Sequence, residues 1–141
     1  MSSVATYIKL WHYFKKIGYK TIEKIESNKA WNFRLESKEF TVKETFYHTL
    51  RAIFEDAGNW FLKESLKFTP TNIPTADLER AVNRMINAIK TLNDSQLADE
   101  FTFPWGEKST IEEALMQNLY HAIGHFAQLR ERCGIKSRTK K

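Results

Sequence analysis

Two of the four histidines, His121 and His125, are spaced i and i+4 in a long run without proline. On a helix that spacing stacks both imidazoles on one face, a turn apart. Two neutral imidazoles so placed can share one metal ion at about 2.0–2.1 Å per bond. The plainer alternative is a pair of half-buried histidines, each satisfied by a hydrogen bond. Gln128 continues the same line one turn on, where it could hold a ligand or substrate or simply bond within the fold. The pair lacks the glutamate of an HExxH pattern, so a zincin-type protease is not supported. Nor does the chain carry a Ser/His/Asp or Cys/His nucleophile pattern, and Cys133 reads as structural or incidental.

A third histidine, His48, lies in another proline-free run. At 100° per residue it points away from the apolar stripe of its own helix and shares a face with Thr45, Ala52, Glu55 and Asn59. Projection alone favours an exposed histidine. The other reading is that these small and polar side chains line a cavity with room for a metal, its waters and a substrate. Glu55, two turns from His48, is then the candidate general base or ligand orienter; otherwise it is a surface glutamate. His12, at the edge of the first helix, is assigned no role.

A chain of 141 residues makes one domain with a core of its own to carry these histidines. The single cysteine excludes an internal disulfide and fits a reducing cytoplasm. No apolar run approaches the roughly 18 residues that cross a bilayer, and the N-terminus has no signal-peptide pattern. The expected localisation is cytoplasmic, with no membrane partner. The net charge of +5 falls to +1 once the four basic residues among the last six are set aside. Elsewhere basic residues alternate with acids, as in Lys20-Thr21-Ile22-Glu23-Lys24, a solvated helix face. Without a folded basic stripe, nucleic acid is not expected as a partner. Residues 136–141 are expected to be a basic, disordered tail on a domain spanning 1–135.

Five glycines and three prolines leave few breaks, and Pro70, Pro74 and Pro104 all fall between four long apolar-periodic segments. The first spans about Val4 to Ile25, with Val4, Tyr7, Ile8, Trp11, Phe14, Ile22 and Ile25 on one stripe. Gly18 shares that face, which suggests close approach of another helix, since glycine there costs about 1 kcal/mol against alanine. A linker with Trp31 and Phe33, expected lids over one end, leads to a second segment from Val42 to about Leu66. Its stripe is Val42, Phe46, Leu50, Ile53, Ala57, Trp60 and Phe61, and Thr41 with Glu44 reads as a capping box. The third segment, capped by Thr75, carries Leu78, Val82, Met85, Ile86, Ile89 and Leu92 at a clean helical period. An aromatic linker from Asn93 to Lys108 follows; Phe101 and Phe103 could form a short extended piece, but a flap is favoured. The fourth runs from a Ser109 or Thr110 cap to about Cys133, where Gly134 reads as the stop. The fold class is all-α, a four-helix bundle with an aromatic-rich linker between helices 3 and 4.

Two stretches resemble a known family. Thr41-Val42-Lys43-Glu44-Thr45-Phe46-Tyr47-His48 is similar to the start of the second helix in the DinB/YfiT-like metalloenzyme family. His121-Ala122-Ile123-Gly124-His125-Phe126-Ala127-Gln128-Leu129 resembles that family's closing HxxxHRGQ motif, with Phe126-Ala127 in place of Arg-Gly. The resemblance covers most of the chain. It implies an up-down-down-up bundle, frequent homodimers, and one divalent metal, nickel or zinc, held by His48, His121 and His125. Such a donor set suits zinc or nickel better than magnesium or calcium, and three protein ligands leave positions open for chemistry. Similar proteins include thiol-S-transferases that couple low-molecular-weight thiols to electrophiles. The expectation is therefore a metal-dependent transferase or hydrolase. The alternative is a non-catalytic, stress-associated dimeric bundle that retains the metal.

Overall fold

The computed structural model describes residues 3–139 and contains four long helices. They are α1 (Val4–Ser27), α2 (Val42–Ala57), α3 (Pro74–Lys90) and α4 (Ile111–Arg138). A single π-helical turn (Gly58–Leu62) follows α2. Between α3 and α4 lie a 3₁₀ turn (Asp94–Ala98) and a hairpin of β1 (Glu100–Thr102) and β2 (Lys108–Thr110), with Phe101 opposite Ser109. The expected flap is thus partly extended, and the alternation of Phe101 and Phe103 was its signal.

Contacts between named residues set the helix directions. Tyr7 meets Glu112 and Thr21 meets Arg130, so α1 and α4 are parallel. Lys15 bonds Asn83, while Gly18 abuts Leu78, so α1 and α3 are antiparallel. Tyr47 bonds Asp77 and Phe54 accepts from Arg84, which makes α2 and α3 parallel. Arg132 reaches Glu39 just before α2, and Phe46 packs on Phe126, so α2 runs against α4. The order is up-down-down-up. α3 and α4 each pack on both α1 and α2, which lie across the bundle from each other.

The apolar stripes meet at the centre. Trp11, Phe46, Leu50, Leu78, Met85, Ile89, Leu115, Phe126 and Leu129 are all essentially inaccessible. Phe126 joins two sides of the core, its ring centroid 4.8 Å from Phe14 and 5.7 Å from Phe46. Gly18 is where a helix comes close: an added Cβ would lie 2.7 Å from Leu78 Cδ2 and 3.3 Å from Phe126 Cε2. Trp31 and Phe33 pack half-buried against the core, Trp31 edge-on to Phe46.

Three boundaries differ from the sequence reading. α2 does not reach Leu66; after the π turn the chain stops helical progress at Lys63, which takes a left-handed conformation with φ 54°. Trp60 leaves the core stripe and packs instead on Phe101 and Phe103, while Phe61 stays against the core and also stacks on Phe101. α3 begins at Pro74 rather than with a Thr75 cap, because a proline at the first helical position has no N–H to satisfy. α4 passes through Gly134 to Arg138, so Lys136, Ser137 and Arg138 are helix and not tail. Basic Lys136 and Arg138 suit the negative end of the helix dipole. Lys140 and Lys141 lie outside the described residues. The Thr41 box is formed as read: Thr41 Oγ1 accepts from Glu44 N–H, and Glu44 returns a carboxylate to Thr41 N–H at 2.8 Å.

Candidate metal centre

The antiparallel packing of α2 on α4 decides the site. His48 projects from the outer edge of α2, and is exposed as its projection implies. α4 stands beside that edge and turns half-buried His121 and His125 toward it. The His48 ring lies 5.8 Å from that of His121 and 5.3 Å from that of His125, and the latter two are 4.4 Å apart. Each histidine offers one ring nitrogen to a group whose members all lie within 4.8 Å of one another. No carboxylate or thiolate belongs to this group. The projection of His48 was therefore correct for its helix, while its conclusion was incomplete, because a neighbouring helix supplies the rest.

The three histidines form a group that could hold one metal ion. Two ligands on a tetrahedral ion at 2.0–2.1 Å are about 3.4 Å apart, and the His121 and His125 Nε2 atoms are 3.1 Å apart. Gln128 meets the other nitrogen of His125. Its carbonyl oxygen lies 3.0 Å from His125 Nδ1 and can only accept, so it suits the tautomer with the proton on Nδ1. The Nε2 lone pair of His125 then points at His121. Metal-bound histidines use the same arrangement, an acceptor on the far nitrogen fixing the tautomer. Burial holds the His121 pKa below the ordinary imidazole value, with the charges of His125 and His48 adding to it. His48 is lowered by burial first, then by His125 and Arg51. Both effects favour the neutral form that can ligate a metal.

No protein-family model matches the chain, and no curated protein sequence matches it significantly. Among solved structures it matches the crystal structure of a DinB-like protein, YjoA, from Bacillus subtilis, with a TM-score of 0.75. Identity is 16%, over 96% of this chain and 94% of that one. The fold is DinB-like. At this identity the likeness establishes the architecture, and the site must be argued from the residues present.

Within the DinB-like bundle the other candidates divide. Gln128 is at the histidines. Glu55 stands apart from the histidine group: its Oε2 accepts from Phe68 N–H at 3.1 Å and lies 3.7 Å from Arg51 Nε. That bond ties the segment after the π turn back onto α2. Asp77 secures the far end of the same segment, accepting from Thr71 N–H, Thr71 Oγ1 and Tyr47 Oη. Those bonds hold its carboxyl below the usual range although burial opposes them. Phe126, where the resembling motif has arginine, fills the core between α1 and α2. Phe40 was not singled out in the sequence, yet its exposed ring sits 6.2 Å from that of His48. Its only sequence signal was a lone aromatic just before the helix cap. The Glu39–Arg132 ion pair beside it, at 3.0 Å, brings this linker across to α4.

Proposed function

We propose that this protein is a metal-dependent enzyme in which His48, His121 and His125 hold one zinc or nickel ion and Gln128 orients His125. The observation that carries the reading is the convergence of three ring nitrogens from two helices, without a carboxylate, at the bundle surface. A divalent ion there would supply Lewis acidity, lowering the pKa of a thiol or a water held beside it. His48 is exposed, so the site is open on that side to a small molecule. The chemistry best served is transfer of a low-molecular-weight thiol to an electrophile, or hydrolysis. The chain contributes no general base within the histidine group itself, so the nucleophile is activated by pKa lowering rather than by a side chain. No described helix is long and apolar enough to cross a membrane, and with one buried, unbridged cysteine we place the enzyme in the cytoplasm.

Zinc-loaded and nickel-loaded protein should accelerate conjugation of cysteine or glutathione to a chromogenic aryl halide, and His121→Ala should abolish the acceleration. Metal-loaded protein that conjugates no better than His121→Ala, and hydrolyses no ester or amide in a parallel screen, would leave the non-catalytic alternative standing.

A separate observation supports a homodimer under either reading. Leu10 and Tyr13 on α1, with Met116, Tyr120 and Ile123 on α4, are large apolar residues exposed along one face. Tyr120 and Tyr13 are 75% and 61% accessible. Contiguous apolar surface of this kind marks association sites, and a twofold pairing of the α1/α4 face would cover it. Ile123→Lys should convert the dimer to monomer in sedimentation velocity; a wild-type chain that is monomeric at micromolar concentration would refute the pairing.

A further inference from the structure

A cleft of ≈ 280 Å³ beside His48 is lined by Phe40, Glu44, Tyr47, His48, Arg51, Phe68 and Pro70. His48 is the one member of the histidine group on its wall. The remaining wall is mainly apolar and aromatic, with two charged residues, Glu44 and Arg51. These two charges are not equivalent. Glu44 is spent on the α2 cap, where its carboxylate accepts Thr41 N–H at 2.8 Å. Arg51 is 61% exposed, and its one ion pair among the described residues, to Glu55, is long at 3.7 Å. Glu55 is itself shared with the Phe68 N–H. The cleft therefore presents one loosely paired guanidinium, beside His48 by one turn of helix, facing a small, half-open and mainly apolar hollow.

We propose that this cleft admits the substrate to the histidine site, and that it selects a small molecule bearing a carboxylate on an apolar or aromatic body. The carboxylate pairs with Arg51, whose planar fork suits it. The body lies between Phe40 and Pro70, and the reactive end is then directed at His48. This deepens the metal-site reading, which it needs for the reaction but not for binding. The ring of Phe40, exposed in the free protein, is the natural cover for such a body.

Benzoate, benzamide and benzylamine serve as probes of one size and three charges, titrated by amide chemical shift into the full chain with and without zinc. In both forms benzoate should shift the amides of Phe40, His48, Arg51 and Phe68. It should bind about fivefold to tenfold more tightly than benzamide, the scale of one charge-assisted hydrogen bond at a partly exposed site. Arg51→Gln should reduce benzoate to the benzamide level, and Arg51→Lys should retain part of the preference. Benzoate no tighter than benzamide, an unchanged affinity in Arg51→Gln, or shifts confined to the α1/α4 face would overturn the proposal. The zinc-free arm separates the two readings. Arg51-dependent benzoate binding in a chain that takes up no zinc would remove the metal and leave the cleft. Zinc uptake with no benzoate preference would do the reverse.

Discussion

Gln128→Met removes the acceptor on His125 while keeping side-chain length and helix propensity. The bond it deletes is 3.0 Å long and exposed, so it belongs in the lower part of the 0.5–1.5 kcal/mol range for a neutral hydrogen bond. Its weight is greater in the metal-bound state, where it both orients the ring and raises ligand basicity; losses of about 10–100-fold in metal affinity follow such deletions. Exposure places this case near tenfold, about 1.4 kcal/mol. Gln128→Glu should act oppositely, because a carboxylate accepts more strongly from Nδ1–H. The assay is competition for zinc against a chromophoric chelator at fixed pH, with thermal unfolding of the metal-free chains as control. Since Gln128 is on an open helix face, those unfolding temperatures should agree within about 2 °C. Equal zinc affinity in wild type and Gln128→Met would refute the orienting role. So would a loss in Gln128→Glu as large as in Gln128→Met.

Gly18→Ala gains about 1 kcal/mol of helix propensity but drives a methyl to 2.7 Å from buried Leu78. Overpacking costs about 1–3 kcal/mol, so urea denaturation should show a net loss near 1 kcal/mol; a gain would mean the α1–α3 contact is looser than described. Asp56 is pushed up from 3.8 to about 6, by burial first and by the neighbouring Glu55 second. Its unfolded form therefore releases its proton first as pH rises, so stability falls between 3.8 and about 6 and the penalty is complete above that window. Asp56→Asn should accordingly stabilise the protein above about pH 7, by about 1 kcal/mol after discounting for partial exposure. The gain should vanish below about pH 4, and a gain independent of pH would contradict the assignment.

The helices were legible because their apolar stripes are long and single-sided, as with Leu78 to Ile89 on α3 or Tyr7 to Phe14 on α1. The ends were less legible for particular reasons. Trp60 and Phe61 prolong the apolar pattern of α2, but Trp60 answers to Phe101 and Phe103 rather than to the bundle core, and Phe61 divides its contacts between the core and Phe101. The turn that ends the helix falls on Lys63, a residue with no preference for the left-handed region. Gly134 carried a stop signal that α4 overrides. The His121/His125 pair and its line to Gln128 were legible because all three lie on one helix, where spacing determines proximity. His48 was not, since helical projection gives its direction from α2 and says nothing of which helix stands there. That knowledge came through resemblance, and the packing of α2 against α4 supplies its physical basis. Glu55 shares a face with His48 by projection, yet the segment that returns to it at Phe68 is a tertiary contact that periodicity does not contain.

The most direct measurement is the metal content of untagged protein, dialysed against zinc and separately nickel, beside His48→Ala, His121→Ala and His125→Ala. One ion per chain is expected in the parent and less than about a tenth of that in each variant at the same free-metal concentration, since each variant loses one of only three ligands. A parent without stoichiometric metal would contradict the three-histidine site, as would variants that keep the ion.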